Sequence, residues 1–335
     1  MNKKRNITLE ILKLFAAYMV IFIHVLFYGA VGAVVDSLAK FAVPFFFLVS
    51  GFYSYKITPD KIKKRIIHIV KLFLIALISY TFFDTITFLL NNNIDQIAPY
   101  FSEYLNPNKI INLILFNAPI YTGHLWYLLA LIYVYIIFYF TTKYQVNEKV
   151  IFKVSVLLLF LQILLGEGLS VFDIILPIPV IRNFALTGIP FFMFGLFAKK
   201  YENKLCNIPN FVLIIAIVVG GIESIISRYF IAKGELYIGS LFILFAFVVI
   251  FIKYSNLEYP RIVEKITGCS TYIYIFHFMV YSIIERVYVL LNLDYYASST
   301  LQMIHPIIVC IFSTIVAYGI IQTENLISEH RKKKQ

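Results

Sequence analysis

The chain has 335 residues, of which 61% are hydrophobic, 18% aromatic and only 14% charged. Soluble domains carry about 25% charged residues, so the composition excludes an ordinary soluble protein. It predicts one all-α integral membrane domain spanning residues 1–335. Three cysteines, an odd number without metal-ligand spacing, predict neither a disulfide framework nor a zinc site.

Ten apolar segments are long enough to cross a bilayer, which predicts a polytopic helical bundle. They are approximately 8–29, 38–55, 68–90, 122–140, 150–166, 182–198, 209–228, 237–253, 269–290 and 301–321. With a cytoplasmic N-terminus, the cytoplasmic side holds 23 of the 29 Lys and Arg residues and the outside holds Lys40, Lys109, Arg182, Arg228, Lys233 and Arg286. This asymmetry predicts that both termini are cytoplasmic. It also accounts for the net charge of +11 without a nucleic-acid partner.

The first segment carries three ionisable residues, Glu10, Lys13 and His24. It resembles a secretory signal but is too long and too charged for one, so we interpret it as the first transmembrane helix. Lys13 and His24 are eleven residues apart, which places them on nearly one helical face about 16 Å apart along the axis. Ionisable groups inside a bilayer usually face the bundle interior or a wet cavity. The pattern favours a functional polar track; the alternative is an interfacial Glu10–Lys13 pair with His24 in a helix contact.

The connection after the second predicted helix is strongly basic, from Lys56 to Lys71. Lys61, Lys63, Lys64 and Arg65 form its centre. Such a cluster attracts anionic lipid or a phosphorylated ligand, although membrane topology alone would also explain it.

Several later helices carry polar residues in their predicted outer halves. Asp84 lies in the third helix, His124 and Trp126 open the fourth, and Arg182 opens the sixth. Trp at this depth is ordinarily a membrane-interface residue, and solvation there would explain His124 as well. The alternative is a polar cavity that opens outward and gathers His24, Asp84, His124 and Arg182. The external loop 91–121 is rich in aromatic residues, which favours a re-entrant or interfacial element.

The ninth helix has a polar stripe like that of the first. His277, Tyr281 and Glu285 recur at four-residue steps and therefore share one helical face. A core histidine hydrogen-bonded to Tyr281 is the alternative to a functional site. The chain has no Walker phosphate loop, GxGxxG, HExxH or GxSxG motif, which argues against an ATP-driven pump.

Five blocks together resemble the acyltransferase 3 family of bacterial membrane proteins. The first is Glu10, Lys13 and His24 at the family's spacing. The others are VPFFFLVSGFY (Val43 to Tyr53), HLWYLLALI (His124 to Ile132), GIPFFMFG (Gly188 to Gly195) and STYIYIFHFMV (Ser270 to Val280). Two features depart from the family: Lys13 stands where the family usually has Arg, and the esterase-like domain that many members carry is not in this sequence.

The resemblance implies an O-acyltransferase, transferring groups other than amino-acyl groups, in the bacterial plasma membrane. Its donor would be cytoplasmic acyl-CoA, most often acetyl-CoA, and its acceptor a hydroxyl of a cell-surface or lipid-linked glycan; no metal is implied. Lys61, Lys63, Lys64 and Arg65 would then bind CoA. Glu10 and Lys13 would organise the CoA end of the track, and His24 would act as general base or brief acyl carrier. For substrate binding, the expected residues are Asp84, His124, Trp126, Arg182, His277, Tyr281 and Glu285.

A second resemblance leaves another function open. The same helices are similar to the membrane half of the membrane-bound serine racemases of vancomycin resistance, which implies amino-acid transport without CoA. Export of a polysaccharide or lipid-linked precursor is a broader form of this alternative. The sequence does not determine the acceptor or the acyl chain. It also leaves open the oligomeric state, for which a homodimer is one possibility.

Overall fold

A computed structural model describes residues 5–90, 94–104, 106–119, 123–230 and 234–333. Four of the basic residues behind the topology prediction, Lys3, Lys4, Lys233 and Lys334, lie outside these ranges. So do residue 122, at the start of the predicted fourth span, and residues 91–93, 105, 120 and 121 of the predicted external loop.

The regular structure of the described residues is entirely helical, which confirms the predicted all-α class. The first half contains α1 Ile7–His24, α2 Gly29–Ala39, α3 Ala42–Phe52, α4 Pro59–Leu89, α5 Ile97–Tyr104, α6 Pro107–Phe116, α7 Trp126–Lys143 and α8 Glu148–Ile163. The second half contains α9 Ile178–Ile181, α10 Ile189–Lys200, α11 Glu202–Leu205, α12 Asn210–Phe230, α13 Ile238–Lys253, α14 Arg261–Thr267, α15 Ser270–Leu290 and α16 Ser299–Lys333. Short 3-10 turns occur at Ile94–Gln96 and Gly123–Leu125, and π-turns at Leu164–Gly168 and Phe184–Gly188.

Within the described ranges, nine helical stretches are long and apolar enough to cross a membrane. They are Ile7–His24, Gly29–Phe52, Pro59–Leu89, Gly123–Lys143, Glu148–Gly168, Ile178–Lys200, Asn210–Phe230, Ser270–Leu290 and Ser299–His330. The remaining predicted span, 237–253, is the 16-residue helix α13, which is shorter than the roughly 20 residues of a typical span. The membrane side of the termini stays a prediction.

Two helix boundaries differ from the predicted ones in ways that matter for function. α4 begins at Pro59, nine residues before the predicted span, because a proline suits the first helical turn and Asp60 complements the positive helix end. The predicted span 182–198 is interrupted at its start: α9 ends at Ile181, and Asn183 caps a new helical segment by accepting from the amides of Ala185 and Leu186.

The helices form two compact units. The first contains Met1–Val43, Asn203–Phe230 and Tyr237–Gln335, and the second contains Pro44–Glu202 and Ile231–Leu236. In the first unit, α1 packs against α2, α13, α14, α15 and α16, and α12 packs against α2 and α13. Most side chains of α13 are buried, as expected of a helix that is apolar on all sides.

In the second unit, α4 packs against α7 and α8 packs against α10. α3 and α10 approach each other closely at two glycines: a Cβ at Gly51 would overlap the carbonyl oxygen of Phe192, and one at Gly195 would overlap that of Leu48. Small residues allow helices in membranes to pack at this distance. Two of the sequence blocks, VPFFFLVSGFY and GIPFFMFG, therefore meet at this crossing.

Candidate functional site

The start of α1 holds a network of three charged side chains. Lys13 Nζ lies 3.2 Å from both carboxylate oxygens of Glu10. Arg5 donates to Glu10 Oε2 over 3.2 Å and to the carbonyl of Glu264 over 3.0 Å. The side chains of Lys13 and Glu10 are 21% and 16% exposed. The structure thus brings the two predicted residues together and adds Arg5, which ties α1 to α14.

The other end of α1 carries a pair of histidine rings. His24 is the last residue of the helix, and its ring lies 5.5 Å from that of His277, with an interplanar angle of 27°. His277 is fully buried, and its Nδ1 lies 2.8 Å from the carbonyl oxygen of Tyr274. A carbonyl only accepts, so Nδ1 carries the hydrogen and the lone pair of a neutral His277 is on Nε2. Two predicted site residues from different helices therefore form one imidazole pair.

The polar stripe of α15 continues beyond this pair and meets α16. Tyr281 donates a 2.6 Å hydrogen bond to Glu285, and its ring lies 5.4 Å from that of His305. His305 is fully buried, with Nδ1 3.1 Å from the hydroxyl of Tyr288. Sequence reasoning missed His305, although a His–Pro pair inside an apolar span was a usable signal.

The predicted basic cluster lies in the first turns of α4, and its residues fall into two groups, exposed lysines and a hydrogen-bonded arginine. Lys61, Lys63 and Lys64 are exposed. The guanidinium of Arg65, by contrast, donates to Ser54 Oγ over 2.7 Å, to the Tyr135 hydroxyl over 3.1 Å and to the Tyr53 carbonyl over 2.8 Å. Three hydrogen-bond partners orient Arg65, whereas the lysines are exposed and Lys63 Nζ stands 5.5 Å from the centroid of the Tyr139 ring.

His124 and Asp84 lie in the second unit with different surroundings. His124 is 4% exposed, and its ring contacts that of Tyr80 edge-on at 5.0 Å. Asp84 is half-buried on α4, the helix that also carries Tyr80. The near-complete burial of His124 differs from that of a histidine solvated at a membrane interface.

Trp126 and Arg182 lie together in the second unit. The Arg182 guanidinium stands 5.1 Å over the Trp126 ring and donates to Glu235 Oε2 over 3.0 Å. Both line a cavity of about 190 Å³, together with Asn117, whose amide donates to the Trp126 carbonyl. Trp126 is only 5% exposed, so it faces protein rather than forming part of an open aromatic belt. The cavity offers an aromatic face beside a guanidinium whose charge is balanced by a carboxylate.

A second group of charges in the first unit was not singled out in the sequence. Lys40 donates to Asp36 over 2.8 Å, and the two side chains are 3% and 2% exposed. Arg228 of α12 lies 3.9 Å from the other Asp36 oxygen. Within the described residues, no group of three or more His, Cys, Asp or Glu is arranged to hold a metal ion.

Comparison with known proteins shows which family this chain belongs to. A family model described as an acyltransferase domain, acyltransferase 3, matches residues 6–322. The chain belongs to the acyltransferase 3 family. The match includes both histidines of the imidazole pair and all five sequence blocks. Neither curated proteins nor solved structures give a match to this chain. Family membership, together with the apolar helices, identifies a multi-pass membrane protein of the acyltransferase class.

Proposed function

We propose that this acyltransferase 3 protein transfers an acyl group, acetyl in the first instance, from cytoplasmic acyl-CoA to a hydroxyl of an extracytoplasmic or lipid-linked glycan. The observation that carries the proposal is the contact between the half-buried His24 and the fully buried His277. Imidazole suits this chemistry because its ordinary pKa of about 6.5 lies near the working pH, so it can take up and return a proton.

In the direct route, His24 removes the proton of the acceptor hydroxyl as the oxygen attacks the thioester carbonyl. The C–S bond breaks, and the CoA thiolate receives the proton that the imidazole took up. In the two-step route, a His24 nitrogen attacks the thioester carbonyl, the C–S bond breaks, and CoA leaves as the thiol with the proton that the imidazole gives up. The acceptor hydroxyl then attacks the acyl-imidazole, the C–N bond breaks, and the hydroxyl proton returns to the imidazole of His24. In either route, the Nδ1 hydrogen bond to Tyr274 fixes the His277 ring that contacts His24.

Charge and shape in the second unit support substrate assignments. The exposed Lys61, Lys63 and Lys64 offer positive charge to the phosphates of CoA. The cavity beside Trp126 and Arg182 fits part of a neutral polyhydroxyl acceptor, since an aromatic ring can cover an apolar sugar face and Arg182, whose charge Glu235 balances, can donate to hydroxyls.

The test uses purified full-length protein in liposomes with labelled acetyl-CoA and a glycan acceptor. We expect His24→Ala to lower acetyl transfer by about 100-fold or more, the usual contribution of a general acid–base group. His68→Ala is the matched control, because His68 is exposed on α4, and should keep full activity. Labelled acetyl-CoA without acceptor separates the two routes: covalent label on wild type that is absent from His24→Ala indicates the acyl carrier.

A folded His24→Ala protein with full transfer activity would contradict the proposal. So would saturable amino-acid uptake by the wild type that needs no CoA, since this is the behaviour expected of a transporter.

A further inference from the structure

A cavity of about 210 Å³ lies in the second unit, and none of the residues assigned above lines it. Its walls come from the ends of α7, α8 and α10 and from the connection between α3 and α4. The lining residues are Tyr55, Lys56, Ile57, Phe138, Thr141, Thr142, Gln145, Val146, Glu148, Ile151, Leu196, Phe197 and Lys200. Three candidate membrane spans, Gly123–Lys143, Glu148–Gly168 and Ile178–Lys200, begin or end here. The cavity is therefore at the level where spanning helices reach the lipid headgroups.

Apolar and charged lining residues occupy different depths. Phe138 precedes the end of α7 at Lys143 by five residues, and Leu196 precedes Lys200 by four, so they lie about 7.5 Å and 6 Å further into their spans. Lys200 is the last residue of α10, and Lys56 lies in the connection between α3 and α4. An apolar floor inside the span and a cationic rim at its end match the order of acyl chain and phosphate in a phospholipid.

The cationic rim is only weakly neutralised. Lys200 forms an ion pair with Glu148, but these side chains are 31% and 59% exposed, and exposed pairs contribute little to stability. Lys56 is exposed. An anionic group can therefore replace Glu148 as the partner of Lys200 with little loss of free energy.

Two lining residues adopt left-handed backbone angles, with φ of 56° at Lys56 and 50° at Gln145. Glycine adopts such angles more readily than residues with a side chain. Both connections thus carry a strained non-glycine residue, and both of these residues line the cavity. Strain of this kind is often found at ligand sites.

We propose that this cavity binds an anionic phospholipid. Its phosphate lies against Lys56 and Lys200, and one acyl chain covers Phe138, Ile151 and Phe197. This site is independent of the acyl-transfer proposal, because it uses none of the residues assigned to that reaction.

The experiment measures lipid binding to the full-length protein in neutral detergent by native mass spectrometry, with phosphatidylglycerol and phosphatidylcholine as probes. Each lysine near an anionic headgroup contributes about a factor of five, so Lys56→Gln with Lys200→Gln should weaken phosphatidylglycerol binding about thirtyfold. Lys143→Gln with Lys149→Gln removes the same charge from α7 and α8 outside the cavity, and should leave binding near the wild-type value.

Two further variants test the site without removing its cations. Glu148→Gln frees Lys200 from its ion pair and should strengthen phosphatidylglycerol binding, while Leu196→Trp fills the apolar floor and should weaken it. Equal weakening in both lysine pairs, or unchanged binding in Glu148→Gln, would overturn the proposal. Loss of acetyl-CoA binding rather than lipid binding in the Lys56/Lys200 variant would also overturn it, since the cavity would then serve the donor.

Discussion

Asp36 and Lys40 form an ion pair that is almost completely removed from solvent, with Arg228 nearby. In the predicted topology, Lys40 was one of six basic residues on the outer side, near the start of the predicted span 38–55. The structure places it at the end of α2 with 5% exposure. Its partner Asp36, one helical turn earlier, explains its position as well as membrane sidedness does.

Breaking this ion pair should lower the free energy of unfolding substantially. We expect Lys40→Met to lower the free energy of unfolding by about 3–5 kcal/mol, because it leaves the Asp36 carboxylate buried without its closest cation. Asp36→Leu combined with Lys40→Met should recover most of this loss, since a buried pair can often be replaced by apolar residues. Thermal unfolding of the single and double variants in detergent measures both effects. A single variant as stable as the wild type would show that the pair is hydrated in solution.

Residue patterns predicted the site contacts within one helix and missed the contacts between helices. The spacing of Glu10 and Lys13, and of Tyr281 and Glu285, follows from the helical period, and the structure shows both pairs in contact. The contacts of His24 with His277 and of Tyr281 with His305 join different helices. No periodicity within one helix determines such contacts, because they depend on how helices pack.

At the scale of helices, α3 and α10 are joined by reciprocal glycine contacts. Gly195→Ala should destabilise the protein by about 1–3 kcal/mol, because the added methyl group would meet the backbone of Leu48 and Phe52 and force the helices apart. Gly319→Ala in α16 is the matched control: nothing lies within 4 Å of its added Cβ, and alanine favours a helix over glycine. Thermal unfolding in detergent should therefore show a lower Tm for the first variant only. An unchanged Tm for Gly195→Ala would contradict the close crossing.

Hydropathy located helices better than it located their ends. The predicted third span begins at residue 68, after the basic turns, where the apolar run starts, yet α4 starts at Pro59. A helix can continue into water where hydropathy has already fallen. The break before α10 has the opposite cause: Asn183 is polar enough to cap a helix but lies within an apolar window.

At the scale of the whole molecule, the predicted topology can be tested with the native cysteines. Cys269 and Cys310 are buried, and Cys206 is partly exposed between α11 and α12, on the predicted cytoplasmic side. A membrane-impermeant maleimide should therefore label Cys206 only after cells are permeabilised. Cys206→Ser with Tyr296→Cys is the control, because Tyr296 is exposed in the predicted external connection and should be labelled in intact cells. The reverse pattern would contradict cytoplasmic termini.

The continuity of α4 has a further mechanical consequence. Because the basic residues from Lys61 to Lys71 belong to one uninterrupted helix, they are spread over about 15 Å along its axis. They form a row of charges along the helix axis rather than a patch at one depth. A ligand with several phosphates would contact successive turns of the helix. Because the helix is continuous, any tilt that the ligand induced would also move Tyr80 and Asp84, which lie in the half of α4 nearer its C-terminal end.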